Sequence, residues 1–329
     1  MTKLNVGVIR IRIRQPDIGG LGFSASSNET VLRVALRFYL VNGRIPTPEE
    51  LAKEALKFER RMANGRAVAA NEVYPIVFGG IQLLHSYLVR VMPEPVLGAE
   101  EWLGQYLCMA FNPNGGRQIA KAVPEKLFQN QKAGRCYVRE ISRFAEASGS
   151  ALKRHDLLNL GHGMNEFRRT FDQWTDGVYT SRTKAMIRKL EKAVPSGIIA
   201  WKPPGAGGCE SLTILSPNQE ARDAVIQHLR KLGWWAAPVS VTGGFSMEIS
   251  PRNAVRVTAG YRLDLIGAAD LGQDATIRQS GCCLSLAIEP RAEMILDRDS
   301  GFSPMLYKLP PDSPHPPHLT SAHSCQCVS

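Results

Sequence analysis

The residues with chemistry to offer fall in three short segments. The first is GGLGFSASS, Gly19 to Ser27. Backbone N–H groups at a helix start can hold phosphate oxygens if no side chains intervene and the helix presents its positive end. Glycines followed by small hydroxyl residues meet those needs. Ser24 can also offer its hydroxyl to a Mg²⁺ ion bound between phosphates. No Gly-Lys-Ser/Thr closes the run, so it is not a Walker loop. A plain strand-to-helix turn would share this composition. The second segment is KPPGAGG, Lys202 to Gly208, where the glycines let backbone approach a ligand closely. An ordinary loop reads the same way. Lys202 is either a further cation or the cap of a strand end. The third, AGYRLDLIGAADLG, Ala259 to Gly272, sets Arg262 and Asp264 on an apolar strand. Charges in such a place pair with each other or serve a ligand.

Several elements must position these segments. Val8, Ile9, Ile11 and Ile13 alternate with Arg10, Arg12 and Arg14, as in a half-buried strand with a basic outer face. The Gly-rich run then feeds a helix marked by Val31, Leu32, Ala35, Leu36, Tyr39 and Leu40. Ser26 and Glu29 have capping-box spacing, and Asn42-Gly43 ends the helix. Thr47-Pro48-Glu49-Glu50 opens a second helix with the stripe Leu51, Ala55, Phe58 and Met62. An extended run follows Gly79-Gly80 and ends at Met92-Pro93. The pattern is helical from Lys126 to Val194. Strands then read at Ile198–Trp201, Leu212–Leu215 and Trp234–Val241. A helix opened by Ser216-Pro217-Asn218-Gln219 lies between the last two, and this region ends near Ile249. Beyond Arg252, three strands joined by Gly-containing loops read at Val255–Val257, Leu263–Ile266 and Leu284–Ile288. A Pro-rich tail begins after Gly301.

The bulk composition narrows the classes. A chain of 329 residues suits one large or two ordinary domains, and 44% hydrophobic with 21% charged residues is globular usage. Apolar stretches break well short of a membrane span. The start, MTKLNVGVIRIRIR, lacks a signal peptide's apolar core, so the expected location is the cytoplasm. The net charge of +10 favours anionic partners such as nucleotides or sugar phosphates. The basic residues are spread out and form no nucleic-acid-binding signature, so a nucleic-acid partner is not expected. Seven cysteines without framework spacing fit reduced thiols. His315, His318, His323, Cys325 and Cys327 lie in the Pro-rich tail, read as disorder rather than a metal site.

Together the segments resemble the motifs of the GHMP kinases (galactose, homoserine, mevalonate and phosphomevalonate kinases). Pro16, Gly20, Leu21, Gly22, Ser24 and Ala25 match that group's ATP loop, with Phe23 in place of a serine. Gly205, Ala206, Gly207 and Gly208 match its C-terminal glycine motif, with Cys209 where glycine is common. Arg262, Leu265, Gly267 and Asp270 match its substrate motif, whose Glu-His is replaced by Ala268-Ala269. NEVYPIVFGG, Asn71 to Gly80, resembles a segment of the sugar and heptose-phosphate branch. There Tyr74, Phe78, Gly79 and Gly80 match, and Glu72 stands at the catalytic aspartate.

The resemblance covers about Val6 to Phe302 and implies an α+β, two-domain fold: a ribosomal-protein-S5-like half and a ferredoxin-like C-terminal domain. The substrate motif follows the other two here, so the order looks circularly permuted. Residues 1–112 would carry the ATP-loop part, 113–250 the C-terminal domain, 251–308 the substrate-motif strands and 309–329 a disordered tail. The implied activity is ATP- and Mg²⁺-dependent phosphorylation of a small-molecule hydroxyl, on a sugar or sugar phosphate. The implied assembly is a monomer or homodimer. The resemblance puts Gly20, Leu21, Gly22, Ser24, Ala25 and Ser26 on the phosphates, with Gly205 to Gly208 closing over them. Ser24 and Glu72 would face Mg²⁺, Glu72 the reacting hydroxyl, and Arg262, Asp264 and Asp270 the acceptor. Phe23, Glu72 and the lost Glu-His fit the alternative, a non-catalytic ligand-binding protein or a rearranged, inactive kinase.

Overall fold

The structure, a computed structural model, describes residues 10–14, 25–62, 70–87, 90–115, 131–174, 179–205, 210–250, 254–267 and 281–297. Two antiparallel sheets organise these residues. The larger runs β3 (Arg90–Pro95), β2 (Ile81–Tyr87), β10 (Gly281–Asp297), β9 (Val255–Ile266), β8 (Ser246–Ile249). β1 (Arg10–Arg14) also pairs with β10. At 17 residues β10 is long enough to take β9 on one edge and both β2 and β1 on the other. The second sheet runs β5 (Ala200–Lys202), β6 (Ser211–Leu215), β4 (Leu107–Phe111), β7 (Trp235–Pro238).

Local chemistry accounts for the helices. α1 (Ala25–Asn42) buries Val31, Leu32, Ala35 and Leu36 and stops at Gly43, whose φ of 68° suits glycine. Because the helix already includes Ala25, Ser26 lies in its first turn rather than at the cap, and Glu29 pairs with Arg33 at 2.5 Å. α2 (Pro48–Met62) starts from a complete capping box: Glu50 N–H donates to Thr47 Oγ1 at 3.2 Å, and Thr47 N–H donates to Glu50 Oε2 at 2.9 Å. Its buried stripe is Leu51, Ala52, Ala55 and Leu56, so Met62 is exposed rather than packed. A single 3₁₀ turn (Ala70–Glu72) leads into α3 (Tyr74–Phe78). α4 (Glu100–Gly104), α5 (Gln131–Lys153), α6 (Leu157–Trp174), α7 (Ser181–Ala193) and α8 (Gln219–Lys231) follow. Asn218 caps α8 by accepting from Ala221 N–H at 2.8 Å, two residues beyond the expected Ser216 start.

One further expectation is corrected, and two others gain detail. The extended run after Gly80 is the hairpin β2–β3, with Gln82 opposite Pro95. Val255–Val257 and Leu263–Ile266 are one continuous strand, because Gly260 marks a close approach and not a turn. A Cβ there would lie 2.4 Å from Thr242 Cγ2. Lastly, β4 belongs to the second sheet although it precedes residue 112. Likewise β8 belongs to the first although it precedes residue 250. The chain thus changes sheet before β4 and again before β8.

α1, α2 and α3 pack together, and α1 and α3 lie on β9 and β10. α5 lies against β10 and β2, and α6 reaches from α5 to β5, linking the sheets. β9 is buried along nearly all of its length. Its apolar residues Leu263, Leu265 and Ile266 are almost fully enclosed, worth roughly 1.5–3 kcal/mol each. That packing offsets the cost of the charges the strand also carries.

Candidate functional site

Two of those charges, Arg262 and Asp264, sit on one face of β9, and the helix after the Gly-rich run, the Asn71–Glu72 turn and the Lys202–Gly205 loop meet around that strand. Asp264 is fully buried and Arg262 nearly so. The guanidinium lies 3.2 Å from Glu72 Oε2 and 3.3 Å from Asp264 Oδ2. Asp264 also accepts from Ser285 Oγ at 2.6 Å and from Asn71 Nδ2 at 3.2 Å. Asn71 and Glu72 are presented by the 3₁₀ turn before α3, and Ser285 by the neighbouring strand. The α3 exit holds this turn in place. Gly79 has φ 73° and bridges Gly243, and a Cβ on it would sit 1.8 Å from Gly244 N.

The Lys-Pro-Pro loop joins from the second sheet. Lys202 ends β5 and is fully buried. Its ammonium donates to Pro203 O at 2.5 Å and to Asp264 O at 2.7 Å, and lies 5.3 Å from the centre of the Phe167 ring. Asp264 N–H donates to Pro204 O at 3.1 Å, which places the start of the glycine run against β9. Gly205 is buried there. From the other side, the buried Asn28 amide of α1 donates to Ala259 O at 3.1 Å and to Gly260 O at 2.6 Å. The helix that follows the Gly-rich run is thereby fixed to the strand that carries Arg262. Ala25 is half-buried and Ser26 exposed on its first turn. Gly20, Leu21, Gly22, Ser24, Ala206, Gly207, Gly208 and Asp270 lie outside the described residues.

One carboxylate was not singled out from the sequence. Glu59 of α2 is half-buried, hydrogen-bonded to Ser27 and Thr30 of α1, and close enough to feel Glu72 and Arg262. The signal was available: Glu59 lies four residues after Ala55 and three after Leu56, on the buried stripe of an amphipathic helix. Burial first, then the nearby Glu72 charge, push its carboxyl above the ordinary range, against the pull of Ser27, Thr30 and Arg262. Asp264 is also raised, by burial, against the pull of Arg262 and Lys202. Burial acts to lower the Arg262 guanidinium, but Asp264 and Glu72 outweigh it and leave it raised.

This is a chain of three carboxylates and two cations. Asn28 Oδ1, Asn71 Oδ1 and Arg262 Nε within it are buried without a hydrogen-bond partner among the described residues. Such a centre can bind and orient polar groups of a ligand. Carboxylates beside serine hydroxyls also form a hard-oxygen donor set of the kind Mg²⁺ takes.

No protein-family model matches the chain, and no curated protein matches it. Solved structures resemble it in part. One is a D-glycero-D-manno-heptose 1-phosphate kinase from Bacteriodes thetaiotaomicron, 14% identical with a TM-score of 0.49, over 69% of this chain and 63% of that one. Another is the L. major mevalonate kinase in complex with R-mevalonate, 17% identical with a TM-score of 0.48, over 67% of each chain. A third is a sugar kinase from Campylobacter jejuni, 20% identical with a TM-score of 0.48, over 69% and 64%. Each of the three is named as a kinase of a small molecule. The match spans less than two thirds of the heptose-phosphate kinase and of the sugar kinase. Among the described residues, no helix is long and apolar enough to cross a membrane.

Proposed function

We propose that this protein is an ATP-dependent phosphotransferase of the GHMP type, acting on a hydroxyl of a sugar or sugar phosphate in the cytoplasm. The observation that carries the reading is convergence. The helix after the Gly-rich run, the Asn71–Glu72 turn and the Lys202–Gly205 loop all dock on the Arg262–Asp264 strand, although they lie far apart in sequence. Phosphoryl transfer is chiefly positioning and charge neutralisation, and this centre supplies both.

In this reading, the Gly20–Ser26 backbone cradles the phosphates and Gly205 to Gly208 close over them. Ser24, Glu72 and the newly found Glu59 would hold Mg²⁺, which when bound neutralises phosphate charge. Glu72 orients the acceptor hydroxyl and takes its proton, held in place by Arg262. Arg262 and Asp264 are enclosed, so they shape the acceptor side through Glu72, Asn71 and Ser285. Asp270 would face the acceptor. The permuted order has support in β1, which pairs with the end of β10, Arg10 opposite Asp297. Joining those two strand ends would restore the order substrate motif, ATP loop, C-terminal glycine motif.

The test is ADP release by purified protein with Mg-ATP and a panel of hexoses and heptose phosphates. Sugar-dependent turnover lost in both Ser24→Ala and Glu72→Ala is the expected result. A second reading, a nucleotide-binding protein without catalysis, draws on Glu72, which is one methylene longer than aspartate and engaged by Arg262. Thermal stabilisation by Mg-ATP without turnover would select it. No response to ATP would overturn both.

A further inference from the structure

A second group of ligating side chains lies on the opposite face of the large sheet. His85 on β2 and Cys282 on β10 are direct register partners. Strand alternation turns them, with Leu83 and Leu284, toward α5. Gly149 of α5 sits over Leu83, and the Ser142 hydroxyl accepts from Cys282 N–H at 2.8 Å. Glu146 follows Ser142 by one helical turn and so overhangs the same spot. Ligating atoms of His85, Glu146 and Cys282 all lie within 4.8 Å of one another. Cys283 and Ser285 turn the other way, Ser285 toward Asp264.

The donor types narrow the ligand. One thiolate, one imidazole and one carboxylate suit a borderline cation such as Zn²⁺, whereas Mg²⁺ and Ca²⁺ take oxygen alone. Tetrahedral zinc holds its donors about 3.5 Å apart. Side-chain rotation closes the remaining gap, because Glu146 stands on the exposed side of its helix. An independent feature points the same way. Glu94 of β3 lies 3.0 Å from His85 Nε2 and is itself paired with Lys153. A carboxylate on one imidazole nitrogen fixes the tautomer and leaves Nδ1 with its lone pair, the arrangement that outer-shell carboxylates impose on metal-binding histidines.

We propose that His85, Glu146 and Cys282 bind one divalent cation of the zinc class, with Glu94 as the positioning residue. Binding displaces the thiol proton to solvent and leaves a fourth position to water. The ion ties α5 to β2 and β10. The site is independent of the phosphotransferase reading, which uses the other face.

The test uses the reduced full-length chain titrated with Co²⁺, then Zn²⁺. One Co²⁺ per chain should give a thiolate-to-metal charge-transfer band that Zn²⁺ removes. Cys282→Ser should abolish the band. Glu94→Gln should weaken binding about 10- to 100-fold. Substituting serine for Cys136, Cys209, Cys325 and Cys327 together should leave the band intact, which excludes every cysteine other than Cys282 and the buried Cys108 and Cys283. Glu146→Gln changes only an exposed side chain and keeps the test valid if Cys282→Ser misfolds; its Co²⁺ affinity should fall at least tenfold. A band missing from the unaltered protein, retained in Cys282→Ser, lost with those four cysteines, or of undiminished affinity in Glu146→Gln would overturn the proposal.

Discussion

Lys202→Met tests how the centre is held together. The ammonium is fully buried and makes two charge-assisted hydrogen bonds, at 2.5 Å to Pro203 O and 2.7 Å to Asp264 O. Bonds of this kind are each worth roughly 1.5–3 kcal/mol, so their loss removes about 3–6 kcal/mol. Methionine keeps most of the stem's packing against Phe167 and is spared the burial of a charge, which returns part of that sum. The expected net loss is about 3 kcal/mol, read from urea unfolding followed by tryptophan fluorescence, with Trp201 next to the change. The pH dependence gives a second check. Asp264 is raised by burial, with Lys202 among the cations that restrain it. Stability tied to a raised carboxyl is fully present below its unfolded value, about 3.8, and is lost as pH climbs through the folded value. Without Lys202 the folded value rises further, so the deficit of the variant should be largest at neutral pH and shrink in acid. A loss under about 0.5 kcal/mol, the range of ordinary surface changes, would refute the assignment of Lys202 as the tie between loop and strand.

Two other substitutions probe the same region. Glu59→Gln should raise the urea midpoint at neutral pH, because the wild-type carboxyl is raised by burial. The wild type therefore loses stability as pH rises from about 4.5 through the folded value, and the variant does not. In the phosphotransferase assay the same variant should lose turnover, and an active, unstabilised Glu59→Gln protein would contradict both roles. Gly79→Ala should cost more than about 4 kcal/mol or abolish folding, since φ is 73° and the new Cβ would overlap Gly244 N at 1.8 Å. A normal melting temperature for that variant would show that α3 does not dock on the Gly243–Gly244 backbone.

What could be read from the sequence was what depends on near neighbours in the chain. Thr47 and Glu50 exchange both capping hydrogen bonds as their spacing requires, and α1 ends at Asn42-Gly43. These features follow from hydrogen bonds within one turn and from glycine's access to positive φ. Gly260 was misread because glycine has two uses. The local pattern is the same whether it bends a chain or lets another segment approach, and only Thr242 and Ile288, 18 residues before and 28 after, decide for the second. Gly79 met Gly244 by the same kind of distant packing. Sheet membership divides in a related way: Leu107–Phe111 is an apolar strand whose partners, Ser211–Leu215 and Trp235–Pro238, lie far along the chain, whereas Ser246–Ile249 pairs with the next strand, Val255–Ile266.

The site divides along the same line. Arg262 and Asp264 were conspicuous because charges on an apolar strand demand partners, and the sequence left open whether those partners were ligand or protein. The structure supplies protein partners for both, in Glu72, Asn71, Ser285 and each other. That does not make them idle. A fully enclosed ion pair is costly to build and contributes little net stability, but it fixes geometry when every neighbour is also constrained. Here the neighbours come from two separate segments: Asn71 and Glu72 are adjacent residues of one short turn, and Ser285 lies on the next strand. Any movement of Asp264 would therefore pass directly to the carboxylate proposed to meet the acceptor. Glu59 was not singled out, although its position on the Leu51–Leu56 stripe turns it inward. A carboxylate on the apolar face of an amphipathic helix is the helical counterpart of a charge on a buried strand, and in this chain the two kinds of misfit lie side by side.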